Sequence, residues 1–196
     1  MSNIVDPLVR QIAARVRAER ERRRWTLAQL AEASGVSQAM ISRIEREESS
    51  PTAVVLGKLS AAFQLSVSSL LASAEGEAAA EAEGERVRRE ADAAVWRDPE
   101  TGYRRRQITS PRFPTEIAEI RLPAGAQVPY PAAAFAFIRQ LVWVLDGQLT
   151  FHEGELVHDL HAGDTIELGE PAARVFVNNT DTECRYVVVL ARHPKP

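Results

Sequence analysis

The spacing of three residues in LAQLAEASGVSQAMISRIER, residues 27–46, constrains the fold more than any other feature of this sequence. These residues are a small residue, a glycine and a branched apolar residue. Gly35 can adopt the left-handed conformation that ends one helix and lets another begin close by. Two helices joined by so short a turn cross steeply, so the first needs a small side chain, Ala31, where it faces the second. Ile41 then fills the angle between them. The spacing therefore predicts a helix-turn-helix pair with one polar side left free.

Capping residues predict that this pair belongs to a larger bundle. Thr26 and Gln29 form a T-x-x-Q capping box at the start of the second helix. Apolar residues recur at helical spacing before the pair and after it. Further helix starts are expected at Ser37, at Ser50 to Thr52 and at Ser66. Five short helices in about 65 residues predict a compact all-α domain, which we place at residues 1–72.

Charge is distributed unevenly along the chain. Residues 1–71 hold 10 Lys and Arg against 7 Asp and Glu, a net charge of +3, whereas the remainder carries −6 and the whole chain −3. Salt screens charges beyond about 10 Å at 0.1 M, so the local run RRR at 22–24 matters more for phosphate attraction than the total. A solvated helix face explains the same run, and charge alone does not separate these interpretations.

The remaining composition excludes several classes of protein. No apolar run approaches the roughly 18 residues that span a bilayer, and the N-terminus carries no export signal, so we expect a cytoplasmic protein without a membrane partner. The single cysteine, Cys184, cannot form a disulfide within the chain. Its position at the start of the apolar stretch CRYVVVLAR predicts a reduced thiol that packs in a strand rather than a nucleophile.

The second half of the chain changes from helical to alternating periodicity. Residues 73–94 are rich in Ala and Glu with almost no apolar anchor, which predicts a linker that becomes ordered near Val87. From Trp96 the apolar residues alternate, and QLVWVLDGQLTF at 140–151 reads as two strands around an Asp-Gly turn. The predicted fold class is therefore multidomain α + β: a five-helix bundle, a linker and an antiparallel β-barrel or jelly roll at residues 95–196.

The first part resembles the lambda-repressor/Cro-like, or XRE-type, helix-turn-helix family. The resemblance rests on TLAQLAEASGVSQAMISRIER and SSPTAVVLGKLSAAFQLSVSSLL, which cover the whole predicted bundle. It implies that the third helix lies in the major groove of DNA, and that Arg20 pairs with Glu45 as a structural contact. The residues it places at DNA are Thr26, Ser37, Gln38, Ala39, Ser42, Arg43, Ser50 and Thr52.

The chemistry of these side chains suits the roles that the resemblance implies. Gln38 can pair with adenine, Arg43 can bind guanine O6 and N7 with its fork, and Ala39 can offer its methyl group to thymine. Thr26, Ser50 and Thr52 stand at helix N-termini, which suit phosphate groups. The alternative for Gln38 and Arg43 is plain solvent exposure without a DNA role.

The second part resembles a small cupin domain, from roughly 96 to 193. The resemblance rests on the motifs VLDGQLTF, HAGDTIEL and VFVNNTDTECRYVVV. Cupin enzymes generally bind a metal through an H-x-H pair, a Glu and a later His. Here these positions fall on Ala133 to Ala136, Gln140 and Arg174, which cannot hold a transition metal. We therefore expect no metal and no other cofactor. The four histidines present read as surface residues: His152, His158, His161 and His193.

Alternation along two strands predicts what the barrel interior holds instead. Gln140, Val142 and Val144 share one face, and Arg174, Phe176 and Asn178 share another. If both faces point inward, the ligand-binding residues are Gln140, Val142, Arg174, Phe176 and Asn178. Such a pocket suits a small organic acid or amino acid, with Arg174 gripping the carboxylate. The alternative is that Arg174 pairs with a neighbouring acid and the barrel serves only for dimerisation.

These features together favour a sequence-specific transcriptional regulator and not an enzyme. The expected partners are double-stranded operator DNA, a second copy of the chain and a small-molecule effector in the barrel. Two copies need half-sites about 34 Å apart, or a multiple of that. Two other functions remain open: a metal-dependent cupin enzyme tethered to DNA, and an antitoxin or interaction module without a ligand.

Overall fold

The computed structural model describes residues 7–71, 87–110 and 113–192, and the first of these segments is entirely helical or in helix-joining turns. Its five helices are α1 (Pro7–Arg22), α2 (Leu27–Ser34), α3 (Gln38–Glu45), α4 (Ala53–Phe63) and α5 (Val67–Leu71). The predicted five-helix bundle is therefore confirmed. The capping box is present, since the Thr26 hydroxyl accepts from the Gln29 N–H at 3.2 Å and the Gln29 side chain accepts from the Thr26 N–H at 2.8 Å.

The corner between α2 and α3 has the geometry that the sequence predicts. Gly35 lies in the left-handed region with φ +66°, and its N–H donates to the Ala31 carbonyl at 2.9 Å. Ile41 and Leu30 are fully buried beneath the corner. The glycine thus ends α2, and the branched side chain fixes how α3 leaves the turn.

Within residues 87–110 and 113–192, the second part consists of ten strands in two antiparallel sheets. The strands are β1 (Val95–Arg97), β2 (Arg104–Gln107), β3 (Thr115–Leu122), β4 (Gln127–Tyr130), β5 (Ile138–Asp146), β6 (Gln148–Glu153), β7 (Leu156–His161), β8 (Thr165–Glu167), β9 (Arg174–Val177) and β10 (Cys184–Arg192). One sheet has the order β1-β2-β3-β10-β5-β8 and the other β4-β9-β6-β7. The antiparallel jelly-roll prediction is confirmed as a sandwich of two sheets.

The Asp-Gly turn joins two strands that do not pair with each other. β5 pairs with β10 and β8, whereas β6 pairs with β7 and β9. Gly147 therefore carries the chain from one sheet to the other, and the simple hairpin that the sequence suggested is absent at this turn. Local sequence cannot distinguish these cases, because a corner and a hairpin both require a glycine with positive φ after a strand.

The helical bundle packs directly against the open edge of the sandwich. α4 lies on β4 and on a short 3₁₀ helix at Ala132–Phe135. Gly57, in the middle of α4, has no side chain where the Tyr130 ring lies, and a methyl group there would overlap that ring. A glycine inside a helix costs about 1 kcal/mol relative to alanine, so this close approach accounts for it.

The predicted linker falls largely outside the described residues. Its positions 73–86 are not described, and the chain resumes at Val87 before a short 3₁₀ helix at Glu90–Asp92. The domain boundaries at 72 and 95 stay a prediction. Among the described helices, none is long and apolar enough to cross a bilayer.

Candidate DNA-binding surface and interior cavity

The side chains of α3 divide into a buried side and an exposed side. Ile41 and Ile44 are buried in the bundle, whereas Gln38, Ala39 and Arg43 are exposed to solvent. The free polar side that the turn geometry predicts is therefore present. What these exposed side chains bind stays a prediction.

Three of the predicted DNA contacts stand at the starts of helices, and of these Thr26 and Thr52 were predicted to meet phosphate groups. The hydroxyls of Thr26, Ser37 and Thr52 each accept a backbone N–H three residues further on, at 3.2, 3.2 and 3.3 Å. They cap α2, α3 and α4, so their first role is to satisfy helix N–H groups. Ser50 is half-buried two residues before the α4 cap, and the Ser42 hydroxyl accepts from Arg46 Nη1 at 2.9 Å.

The structural ion pair that the family resemblance implies is confirmed. Arg20 donates from Nε and Nη2 to the two carboxylate oxygens of Glu45, at 2.7 and 2.9 Å. The pKa of Arg20 lies above its ordinary value, chiefly because of these hydrogen bonds. The pair ties α1 to the end of α3, and thereby fixes α3 from the side opposite its exposed face.

The arginine run at 22–24 is used partly inside the bundle. Glu19 is buried, and Arg22 and Arg23 both donate to its carboxylate, at 2.7 and 2.5 Å. Burial alone would raise the pKa of Glu19, but these hydrogen bonds outweigh it and lower the pKa. Arg23 also lies over the Phe63 ring at 4.9 Å. Arg22 and Arg23 therefore have a structural role, and Arg24 is exposed to solvent.

A cavity of about 40 Å³ lies between the two sheets and the helical bundle. Its lining includes Gln140 and Phe176, as the alternation predicts. Burial raises the pKa of Tyr130 and that of Tyr186 well above the ordinary value of a tyrosine, so these two phenols stay neutral. The complete lining is Ser66, Val67, Tyr103, Arg105, Tyr130, Ala134, Phe135, Ile138, Gln140, Phe176, Tyr186, Val188 and Leu190.

Arg174 does not line this cavity and is engaged elsewhere. It is 1% exposed, and its Nε and Nη2 both donate to Glu153 Oε1, at 2.9 and 2.5 Å. Nη2 also reaches the carbonyls of Gly169 and Glu170, and the guanidinium lies 4.3 Å from the Phe135 ring centre. Its Nε and Nη2 donors are taken up by the protein, so the expectation that Arg174 grips a ligand is corrected: it pairs with a neighbouring acid.

The other two predicted ligand residues also have structural surroundings. Val142 is fully buried within the six-stranded sheet and does not line the cavity. Asn178 is fully buried, and its Nδ2 donates to the carbonyls of Leu122, Pro123 and Thr182 at 3.0, 3.1 and 2.7 Å. An amide with these partners holds loops together, so neither residue is free to bind a ligand in this arrangement.

The cation that faces the cavity is one that the sequence reasoning missed. Arg105 is 6% exposed, donates from Nη2 to the Ser68 hydroxyl at 2.5 Å, and has a buried Nε without an acceptor. Burial alone would lower its pKa, but Tyr103, Tyr130 and Glu116 together hold the pKa above its ordinary value. The signal was available in RRRQ at 104–107, because alternation along a strand sends one of three consecutive arginines inward.

The residues at the cupin metal positions do not fit a metal ion. Gln140 and the apolar Ala134 and Phe135 line the cavity, while Arg174 is turned to Glu153. An amide and a methyl group are poor ligands for a transition metal. Within residues 7–71, 87–110 and 113–192, no three His, Cys, Asp or Glu side chains converge as a metal site would require. His193 lies outside the described residues.

Comparison with known proteins finds a family match for the helical part and a shared fold over almost the whole chain. Residues 16–70 match the helix-turn-helix family HTH_3. The HTH-type transcriptional regulator SutR of Escherichia coli K12 is 39% identical over 67 residues, which cover 34% of this chain and 38% of that regulator. This chain thus matches well under half the length of that relative.

The structural comparison extends over both parts. The crystal structure of an HTH_3 family transcriptional regulator from Vibrio cholerae superimposes with a TM-score of 0.74 and 24% identity, covering 96% of this chain and 98% of that one. The cupin_2 domain of an XRE family regulator from Enterobacter cloacae covers 47% of this chain and 98% of its own, with a TM-score of 0.43 and 13% identity.

The fold and the matched residues define a two-part class of protein, in which a helix-turn-helix bundle precedes an antiparallel β-sandwich. Residues 16–70 match the HTH_3 helix-turn-helix family, and in the same chain they are followed by an antiparallel sandwich of two sheets.

Proposed function

We propose that this chain is a sequence-specific DNA-binding transcriptional regulator, controlled by a small molecule held in its β-sandwich. The observation that carries the DNA-binding part is the exposure of Gln38, Ala39 and Arg43 on α3, whose other side is anchored by Ile41 and the Arg20–Glu45 pair. A helix held in this way can enter a major groove without moving. The likeness of the helical part to the regulator from E. coli supports the same function.

Replacing Arg43 by alanine tests the assignment of the reading helix. A bidentate contact to guanine is worth about 1–3 kcal/mol, so we expect affinity for the preferred site to fall roughly 5- to 150-fold with relaxed preference at one base pair. The preferred site is first selected from random duplexes with the native protein, and affinities are then measured by fluorescence anisotropy at one fixed salt concentration.

Arg97→Ala provides the matched control, because Arg97 is an exposed arginine on β1, away from the helix-turn-helix pair. We expect this control to bind the selected site with native affinity. Equal affinity and unchanged base preference for Arg43→Ala would contradict the assignment of Arg43. Failure to enrich any duplex with the native protein would contradict the proposed function itself.

We propose further that two copies pair through the outer face of the six-stranded sheet. On this face Val189 lies opposite Leu141, and Val187 lies opposite Trp143, whose side chain is 45% exposed. A second copy is the natural occupant, since one helix-turn-helix unit contacts a single half-site and operator symmetry mirrors protein symmetry. An isologous contact would pair the same residues from both copies.

Replacing Trp143 by glutamate should convert the dimer to a monomer. Two glutamates would face each other across the twofold axis, and burying like charges there is unfavourable. Light scattering after size exclusion should give the native protein twice the 21.7 kDa mass of the chain and the variant one chain. Leu156→Glu is the control, because Leu156 is 60% exposed on β7 of the other sheet. A monomeric native protein, or loss of the dimer in the control alone, would rule out this interface.

A further inference from the structure

The cavity lies where the two parts of the chain touch, and the helical part closes one side of it. Glu116 on β3 accepts hydrogen bonds from the hydroxyls of Ser66 and Ser69, and Arg105 on β2 donates to Ser68. Ser66 and Val67 themselves line the cavity. Whatever enters it therefore contacts α5 as well as the sandwich.

Arg105 is the charged side chain among the described residues that line the cavity. Its guanidinium has one edge made by Nε and Nη2, the edge that binds a carboxylate with two parallel hydrogen bonds. Ser68 occupies Nη2, and Nε has no acceptor although the side chain is 94% buried. Burying a charged N–H without an acceptor costs free energy. An acceptor that binds both Nε and Nη2 would therefore stabilise this guanidinium more than one hydroxyl does.

The remaining lining sets the kind of molecule that could use this edge. Apart from Arg105, Gln140 and Ser66, it consists of aromatic and aliphatic side chains, among which burial raises the pKa of Tyr130 and Tyr186 and keeps these two phenols neutral. The Glu116 carboxylate already lies near the Arg105 cation, so the site suits one further negative charge at most, and the apolar walls suit a hydrocarbon tail. A second carboxylate would be buried against apolar groups without a cation from the described lining.

The cavity is small for such a molecule. It measures about 40 Å³, whereas an engineered apolar cavity that binds benzene measures about 150 Å³. A ligand with a tail of three or more carbons therefore needs some wall to move. The strands are held by their sheet hydrogen bonds, whereas the wall at Ser66 to Ser69 is joined to the sandwich by side-chain hydrogen bonds. This wall can therefore move without breaking the sheets.

We infer that a small monocarboxylate with an apolar tail binds to Arg105 in this cavity and displaces Ser68 from the guanidinium, which loosens α5 from the sandwich. The inference rests on the proposed function, in which a small molecule controls DNA binding, and it names the class of molecule and the contact through which control passes. Because ligand and α5 compete for one guanidinium, each weakens the attachment of the other.

The experiment titrates the full-length protein with isobutyrate and benzoate, and with isobutyramide and benzamide, which lack the charge. Calorimetry should show binding of at least one acid and at least tenfold weaker binding of the matching amide. Hydrogen exchange, followed by mass spectrometry, should show faster exchange of the amides in residues 67–71 when the acid is bound. If neither acid binds, or if the amide binds equally well, the inference is wrong.

Three variants separate the role of Arg105, which would bind the acid, from that of Ser68, which would compete with it. Arg105→Gln should lose acid binding at least tenfold, whereas Arg97→Gln, an exposed arginine, should keep it. Ser68→Ala removes the competitor, so it should bind the acid several-fold tighter and should show fast exchange in residues 67–71 without ligand. This third variant keeps the test decisive if Arg105→Gln fails to fold. Native affinity in Ser68→Ala, or exchange that slows when the acid binds, would overturn the competition.

Measuring DNA binding with the same protein preparations distinguishes failure of this ligand inference from failure of the proposed DNA-binding function. If the native protein binds its selected duplex but neither acid, this inference fails and the proposed DNA-binding function stands. If it binds an acid with the expected change in α5 but selects no duplex, the proposed function fails and the ligand site stands.

Discussion

Replacing Arg20 by alanine should destabilise the helical bundle by about 3–5 kcal/mol, because it leaves the buried Glu45 carboxylate without its main partner. The Glu45 side chain is 5% exposed and that of Arg20 is 14% exposed, so water cannot easily replace the lost hydrogen bonds. Both bonds of the fork are lost at once. Urea unfolding followed by circular dichroism at 222 nm measures the loss in the helices.

Arg17→Ala is the matched control for this prediction. Arg17 lies 3.8 Å from the same Glu45 carboxylate, but its side chain is 56% exposed, and exposed ion pairs contribute about 0–1 kcal/mol. A double replacement, Arg20→Met with Glu45→Leu, should recover most of the stability, since removing both charges leaves none buried alone. Equal losses for Arg17→Ala and Arg20→Ala would show that proximity to Glu45, rather than burial, sets the effect.

Replacing Arg174 by alanine should destabilise the sandwich by a similar amount, about 3–5 kcal/mol. The variant leaves the Glu153 carboxylate, 13% exposed, with the Gly169 N–H as its remaining donor and without a cation. It also takes the Arg174 donor from the carbonyls of Gly169 and Glu170 and removes the cation from the Phe135 ring. Urea unfolding followed by tryptophan fluorescence measures this loss, since Trp96 is buried in the sandwich.

Arg104→Ala serves as the comparison for Arg174. Arg104 makes an ion pair of the same length, 2.5 Å, with Glu183, but the two side chains are 42% and 34% exposed. We expect a loss below about 1 kcal/mol there. If Arg174→Ala cost no more than Arg104→Ala, Arg174 would not be a structural residue, and its assignment as a ligand anchor would have to be reopened.

The helix-turn-helix part could be predicted closely because its determinants are local. The capping box at Thr26 and Gln29 and the turn at Gly35 act over three or four residues, and helices form from such near contacts. The exposed side of α3 follows from the buried position of Ile41, so the exposure of Gln38 and Arg43 could be predicted by the same argument, while their contact with DNA stays a prediction. Even the Arg20–Glu45 pair, 25 residues apart, was found through the family resemblance.

The cavity could be predicted only in part, because it depends on contacts between distant segments. Alternation correctly places Gln140 and Phe176 at the cavity. It also places Arg174 on the same face as Phe176, but a long side chain can turn to an acid on a neighbouring strand, and Glu153 lies opposite it in the sheet. Strand periodicity gives the side of a sheet, not the partner of a side chain.

The amino-acid sequence by itself determined the five helices, the steep corner between α2 and α3, the alternating strands and the polar side of α3, since each follows from spacing within a few residues. Only the tertiary structure decided that β5 and β6 belong to different sheets, that Arg105 rather than Arg174 faces the cavity, and that α4 packs on Tyr130 through Gly57. These features depend on which surfaces meet when sheets and helices pack, and that choice is made by burial summed over the whole chain.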